Sequence, residues 1–307
     1  MRTLTVFTPT YNRAYCLGRL YESLKRQTSK DFEWLIIDDG SSDDTADLVR
    51  LWQSEQAVPI RYIYQDNQGM HGAHNTAYEH IETELNVCID SDDYMPDRAV
   101  EIITSFWQNN RRDDVSGFVA LDAYTDGRII GTALPEGLES STLFELYNRY
   151  GVKGDKKLVY RSALTKQFPY PIFQDERYVG LAYKYFKLDE RYPLLLLNEV
   201  LCHVEYMEDG SSRNMLKQYV RNPRGFAFYR LALMKSPLAS ASFKLRQAIH
   251  YVSSCLLARN KRWLTESPAK GITLLAAPAG LLLYLYIRSK TKELIVPRGR
   301  SNDYSVG

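Results

Sequence analysis

The stretch NVCIDSDDYM, residues 86–95, carries a largely apolar, strand-like run straight into three aspartates within four positions. Asp90, Asp92 and Asp93 repel one another there, and a strand end offsets little of that repulsion unless something positive sits among them. A cation is the expected guest.

Upstream, the chain alternates between two periods. "LTVFTPTYN" is a β-branched and aromatic run that ends in turn formers, which predicts a strand from Thr3 to about Thr8. "CLGRLYESLKRQT" places Leu17, Leu20, Tyr21 and Leu24 at helical spacing. "FEWLIIDDGSSDDT" predicts a second strand that stops at Asp38 and Asp39 and turns on Gly40, and "DTADLVRLWQS" a helix with Asp43 or Asp44 as its N-cap. "IRYIYQ" is a third strand, and "DNQGMHGAHNTAYEHI" a glycine-bearing loop entering a helix. Strand and helix in strict alternation specify an α/β fold, a Rossmann-like, mainly parallel sheet flanked by crossover helices. Polar clusters recur at the C-terminal ends of these strands, at Thr8–Arg13, Asp38–Asp44, Asp66–Asn75 and Asp90–Asp93. In open α/β sheets that rim is where ligands bind.

Downstream the pattern is less regular. "DRAVEIITSFWQNN" is a helix, and "VSGFVALDAYTDGRIIGT" predicts two strands joined by a turn at Asp126-Gly127. From about Ser141 to Val204 helix and strand mix, and Arg213 to Arg262 is mainly amphipathic helix. With 307 residues and 45% hydrophobic content the chain can bury a full core. Charge divides it: from Arg213 onward there are 17 Lys/Arg against 3 Asp/Glu, whereas the first 212 residues hold 22 bases and 34 acids. The expected organisation is therefore an acidic α/β domain, 1–212, and a basic helical C-terminal extension, 213–307.

Cys16, Cys88, Cys202 and Cys255 lack C-x-x-C spacing, which suits a reducing compartment and supports neither a zinc site nor a disulfide framework. The apolar run at the N-terminus is too short for a signal-peptide core, so a cytoplasmic location is expected. Residues 272–287 carry no charge and are followed by Arg288, Lys290 and Lys292. With Pro278 and Gly280 inside it, this segment reads as interfacial or re-entrant rather than as a clean span, and the basic residues before it favour an anionic membrane surface. The competing reading is a buried helical hairpin. The bases are interleaved with aliphatic runs rather than gathered into an RNA-binding motif, which argues against nucleic acid.

Asp90 and Asp92, at i and i+2 on a strand end that curls into a turn, can face one hard divalent cation, Mn²⁺ or Mg²⁺, and leave coordination positions open for phosphate oxygens. Aspartates also cap helices and fill turns, so the pattern gains weight from its companions. Asp38 and Asp39 can accept from a nucleobase or ribose, with Gly40 allowing close backbone approach. "TPTYNR" supplies Thr8, Pro9, an aromatic face in Tyr11, and Arg13 for a phosphate or base.

"TPTYNR", "IDDGSSDDT", "DNQGMHGAHN" and "CIDSDDYM", in this order, resemble an inverting family 2 glycosyltransferase with the GT-A fold, most strongly over about the first 110 residues. "FPYPIFQDERYVGLAYKYF", "NEVLCHVEYMEDGSS" and "NPRGFAFYR" resemble the bacterial members that build surface polysaccharides. The resemblance implies that Thr8, Tyr11, Asp38 and Asp39 hold the uracil or ribose of a nucleotide-sugar donor. It implies that Asp92, with Asp90, Ser91 and Asp93 beside it, carries the metal and diphosphate. Asn67, Gly69 and Asn75 match the family's loop, where His74 replaces a frequent arginine.

Inverting transfer needs a base on the face of the sugar opposite the departing diphosphate. "FQDERY" offers Asp175 and Glu176; the family commonly orders such a pair Glu-Asp, and Glu176 is favoured here with Asp175 beside it. Glu205 and Asp209 are weaker candidates. His71, His74 and His80 bring no third ligand to a common point on a helix, so a zinc site is not expected, although His71 or His74 can donate to a phosphate. A sugar nucleotidylyltransferase would carry a glycine-rich loop with a lysine after the first strand, which "TPTYNRAYC" lacks. A non-catalytic sugar-binding scaffold is the other alternative. The implied partners are a nucleotide-diphosphate sugar, a saccharide acceptor carried on a polyprenyl lipid, and the inner face of the cell membrane.

Overall fold

The computed structural model describes residues 2–205, 207 and 215–291. The chain forms two compact units, Met1–Met207 with Ser236–Leu238, and Glu208–Lys235 with Ala239–Gly307. The division expected after residue 212 and the candidate Asp209 both lie outside the described residues.

The first unit runs β1 (Leu4–Thr10), α1 (Ala14–Lys25), β2 (Phe32–Asp38), α2 (Thr45–Glu55), β3 (Ile60–Tyr64), α3 (Met70–His80), β4 (Leu85–Cys88), α4 (Ala99–Asn110) and β5 (Gly117–Tyr124). It continues with β6 (Ser140–Ser141), α5 (Leu143–Asn148), β7 (Lys156–Arg161), α6 (Ser162–Thr165), α7 (Ala182–Asp189) and β8 (Leu194–Val204). The eight strands form one sheet in the order β3-β2-β1-β4-β7-β5-β8-β6. β1 to β4 are mutually parallel where they pair, β7 enters antiparallel between β4 and β5, and β5 pairs parallel with β8.

Every residue of β1 is buried, as expected for a strand covered on both faces. The helical spacing in α1 delivers Leu17, Leu20, Tyr21 and Leu24 to the core, where the Tyr21 ring stacks on Trp52 at 4.4 Å. Strand order reverses between β1 and β4, and their pairing ends at Phe7 and Cys88. Beyond that point the two strands diverge, and Pro9, which has no N–H to give, sits where no ladder bond to β4 is needed. This is the topological switch point, the crevice in which α/β sheets bind ligands.

The expected hairpin at Asp126-Gly127 is reduced to an isolated bridge between Ala123 and Ile129. The reason is that both edges of β5 are already occupied, by β7 through Leu121 and by β8 through Tyr124, so a hairpin partner finds only the last residues open.

The second unit contains α8 (Met215–Arg221), α9 (Pro223–Lys235), α10 (Ala241–Leu257), α11 (Trp263–Glu266) and α12 (Lys270–Lys290). Pro278 and Gly280 do not interrupt α12, which is a continuous helix of 21 residues. Pro278 is solvent-exposed, so the carbonyl its ring leaves unpaired one turn back can face outward. Gly280 faces α10, where a Cβ would come within 2.6 Å of Val252 Cβ. The helix is long and apolar enough to cross a membrane by length and composition.

Candidate active site

Four loops meet on the C-terminal rim of the sheet, and hydrogen bonds and an ion pair join neighbouring ones. After β1, Asn12 adopts a left-handed backbone (φ 54°) that asparagine tolerates. Its N–H donates to Ser41 Oγ at 2.8 Å, and its Oδ1 accepts from Ser42 N at 2.8 Å. Asp43 accepts from Thr45 N and Thr45 Oγ1 at the start of α2 and also from Ala14 N at the start of α1. One carboxylate thus serves two helix N-termini, and hydrogen bonding lowers its pKa despite partial burial.

The two acids at the end of β2 face inward. Asp38 Oδ1 accepts from Ser41 N at 2.8 Å and its Oδ2 from Tyr62 OH at 2.5 Å. Asp39 Oδ1 accepts from Gln65 Nε2 at 2.7 Å and Gln68 N at 2.9 Å, while Oδ2 accepts from Gly69 N at 2.8 Å. Burial raises the Asp39 pKa, and these donors with the nearby Arg177 charge pull the other way. Asn67 Nδ2 donates to the Asp39 carbonyl at 2.8 Å. Asp39 and Asn67 therefore shape the loop before α3. Gly69, at φ 81°, is its hinge: a Cβ there would lie 2.0 Å from the Arg177 carbonyl oxygen. Asn75 clamps the backbone of Tyr170, donating to its carbonyl and accepting from its N–H, each at 2.8 Å. Thr8 is buried, and its hydroxyl accepts from Trp34 Nε1 at 2.9 Å. Tyr11, in contrast, is 50% exposed.

His71 and His74 are both buried on α3. Burial pushes His71 down to about 4 and His74 down to about 3, so both rings are neutral at pH 7. His74 lies edge-on to Phe7 at 5.1 Å, with Nδ1 3.3 Å from Tyr78 OH. It fills the core and supplies no positive charge where the family often has arginine.

The acids after β4 separate into two kinds. Asp90 and Asp92 are partly exposed, on a turn closed by Asp93 N donating to the Asp90 carbonyl at 3.1 Å. Arg13 Nη1 stands 3.6 Å from Asp92 Oδ2. Ser91 is buried in the same turn. Asp93 is also buried, and its Oδ1 accepts from Glu205 N at 3.2 Å. Burial and the charges of Asp90 and Asp92 push its pKa up to about 8, against the opposing pull of Lys157 and the Glu205 N–H.

Lys157, on β7, was not singled out by the sequence. Its Nζ lies 3.5 Å from Asp122 Oδ1 and donates to the Cys88 carbonyl at 3.5 Å, and its charge also acts on Asp93 and Asp90. These carboxylates hold it protonated well above the usual lysine range in spite of its burial. The positive charge expected among the acids is thus supplied in part by the chain itself, from Lys157 inside and Arg13 outside. Its signal in the sequence is Lys157 heading the apolar run "KLVYR" of a central strand, a place where charge is costly unless paired.

Among the described residues, no group of three or more His, Cys, Asp or Glu side chains forms a metal centre. Asp90 and Asp92 are hard oxygen donors on one turn and fit a divalent cation as a partial shell that other oxygens must complete. Asp93, the third acid of the turn, accepts from the Glu205 backbone N–H through Oδ1. Asp175 is exposed in a left-handed turn (φ 65°), and Glu176 next to it is buried, with its N–H donating to the Phe173 carbonyl at 3.1 Å. Arg177, whose backbone touches Gly69, brings this segment to the N-terminus of α3. Glu205 is ion-paired with Arg19. The four cysteines are not paired with one another.

The profile described as Glycosyl transferase family 2 matches residues 5–166. An uncharacterized glycosyltransferase of Nostoc sp., alr2836, is 29% identical over 174 residues, covering 54% of this chain and 53% of the relative. Validoxylamine A glucosyltransferase of Streptomyces hygroscopicus subsp. jinggangensis is 46% identical over 68 residues, covering 22% of this chain and 16% of the relative. The chain thus spans about half the length of the first relative and about a sixth of the second. Among solved structures, S. aureus TarS 1–349 in complex with UDP-GlcNAc superposes with a TM-score of 0.64 at 18% identity, covering 98% of this chain and 95% of that one. The mannosyltransferase PcManGT from Pyrobaculum calidifontis, in complex with GDP-Man and Mn²⁺, gives 0.56 at 18% identity, with 95% and 84% covered. At such identities the likeness establishes the fold alone, and that fold is GT-A.

Proposed function

The chain belongs to glycosyl transferase family 2, and on that premise we propose that it moves a sugar from a UDP-sugar to a saccharide acceptor with inversion, as a hexosyltransferase of bacterial surface-polysaccharide synthesis. The observation that carries this reading is the contrast between two strand ends: Asp90 and Asp92 are partly exposed at the switch point beside Arg13, while Asp38 and Asp39 are buried among protein donors.

In this reading the exposed Tyr11 ring offers a face for the uracil, and Arg13 faces the diphosphate. Thr8, Pro9, Asp38, Asp39, Asn67, Gly69 and Asn75 give the donor pocket its shape. Mn²⁺ or Mg²⁺ would be held by Asp92 and Asp90 with diphosphate oxygens, and would neutralise charge on the leaving group. The complex of PcManGT with GDP-Man and Mn²⁺ supports such a requirement, and that of TarS with UDP-GlcNAc supports the choice of donor. Glu176, with Asp175 beside it, takes the proton of the acceptor hydroxyl. The acceptor is lipid-linked, on a polyprenyl carrier, and the protein works from the cytoplasm, peripherally attached to the inner face of the membrane. No nucleic acid takes part.

A panel of nucleotide sugars screened by thermal shift with Mn²⁺ tests the donor, because a true ligand stabilises the fold by mass action. Hydrolysis or transfer of the donor found this way must fall by roughly a hundredfold or more in Asp92→Ala. Stabilisation by no nucleotide sugar, or activity in Asp92→Ala close to that of the wild type, would overturn the reading. Glu176→Gln and Asp175→Asn then identify the base, by which of the two abolishes transfer while leaving donor binding intact.

A further inference from the structure

α12 has two unlike faces. Thr273, Ala276, Gly280 and Ile287 are buried, and Gly280 brings the helix so close to α10 that a Cβ would meet the Ile249 carbonyl oxygen at 2.9 Å. Leu274, Leu275, Leu281, Leu282, Leu285 and Tyr286 are exposed, Leu275 to 73%. At 3.6 residues per turn these six fall within an arc of about 140°, on the side opposite the buried residues. Pro278 lies in the same arc and Ala279 just past its edge, and no residue from 271 to 287 is charged. Lys270 stands at one end of the helix and Arg288 and Lys290 at the other. Arg288 Nη1 donates to Tyr284 OH at 3.0 Å.

We propose that α12 lies flat on an anionic lipid bilayer, with the Leu274–Tyr286 face among the acyl chains and its terminal bases among the headgroups, and that it does not cross. This rests on the membrane-surface part of the reading above and names the surface that makes the contact. Length alone would allow a span, since 21 residues rise about 30 Å. What forbids it is the partner on the inner face. α10 carries Lys244 and Arg246, and its Gln247 accepts from Arg230 of α9 at 2.7 Å. A crossing α12 would draw these groups into hydrocarbon.

Charge selects lipid over a second copy of the chain. Between residues 215 and 291 the sequence has 13 Lys/Arg and a single acid, Glu266. Two such faces repel each other, whereas an anionic leaflet attracts one. Basic side chains at the helix ends can lay their stems along the apolar face while their charges reach the headgroups.

Flotation of the full chain with phosphatidylcholine vesicles, with and without phosphatidylglycerol, tests the surface. The wild type is expected to float with the anionic vesicles, and Leu275→Glu/Leu282→Glu to lose roughly tenfold or more in partitioning, with unchanged circular dichroism. Equal flotation on both vesicle types, or an undiminished double variant, would overturn the proposal. So would a lipid-free dimer that the same substitutions dissolve. Gly271→Cys and Ser289→Cys, read against the wild-type background, are both expected to react with an impermeant maleimide on vesicle-bound protein; protection of one end would mean crossing and defeat the flat arrangement. Mn²⁺-dependent stabilisation by a UDP-sugar separates the two readings: its presence in a wild type that does not float would sink this inference and leave the transferase standing, and its persistence in the double variant shows that lost flotation is not lost folding.

Discussion

Two strand ends on the same rim carry clustered aspartates, and they differ in what faces them. At the end of β2, Asp38 and Asp39 accept from five protein donors, so their charge builds the loops around them. At the end of β4, Asp90 and Asp92 stay partly exposed and Asp92 has the Arg13 guanidinium nearby. Asp93 and Lys157 set the turn from within. Clustered acids in a sequence look alike, yet a carboxylate surrounded by backbone N–H groups is architecture, and one facing cations and solvent can exchange its partner for a ligand.

The comparison can be broken at its most interior point first. Lys157→Met leaves Asp122 buried without its ion-pair partner and should cost about 3–5 kcal/mol, read as a lowered urea midpoint, with much of the loss recovered in Lys157→Met/Asp122→Asn. Asp92→Ala tests the open end: transfer should fall on the order of 10²–10³-fold, with stability changed by less than about 1 kcal/mol. Asp39→Ala should show the reverse profile, a loss of about 2–3 kcal/mol from orphaned donors in the Gln65–Gly69 loop, visible as faster amide exchange there.

Acid should weaken the fold in a defined window. His71 and His74 titrate in the folded chain near 4 and 3, below their ordinary 6.5. The unfolded chain therefore takes up these protons first. Stability present above about pH 6.5 is lost as pH falls toward 4, by up to about 1.4 kcal/mol per pH unit for each ring. Denaturant midpoints at successive pH values should show this slope, roughly halved in His74→Gln. The smallest expected effect on stability is that of Arg13→Ala, under about 1 kcal/mol for an ion pair a fifth exposed, accompanied by a raised KM for the donor.

The first half of the sheet was legible because each of its strand–helix units is written in a contiguous period. The strand boundaries read from "LTVFTPTYN", from "FEWLIIDDGSSDDT" with its stop at Asp38 and Asp39, and from "IRYIYQ" differ from β1, β2 and β3 by two residues or fewer. The second half was not, because β7 enters between β4 and β5 from far along the chain, and no local pattern shows that both edges of β5 will be filled. Pro278 was read as an interruption of α12 because the cost of proline is local, whereas the packing of Gly280 on α10 that supports the helix is not.

The sequence by itself determined the alternation of strands and helices, the gathering of acids on one rim, and the basic character of the C-terminal region, all of which depend on neighbours within a few turns. Only the tertiary structure decided which acids are buried among backbone and side-chain donors and which stay partly exposed to solvent. A carboxylate's state follows from every charge and donor near it in space, and for Asp93 those are Glu205, more than a hundred positions away, and Lys157 on an inserted strand.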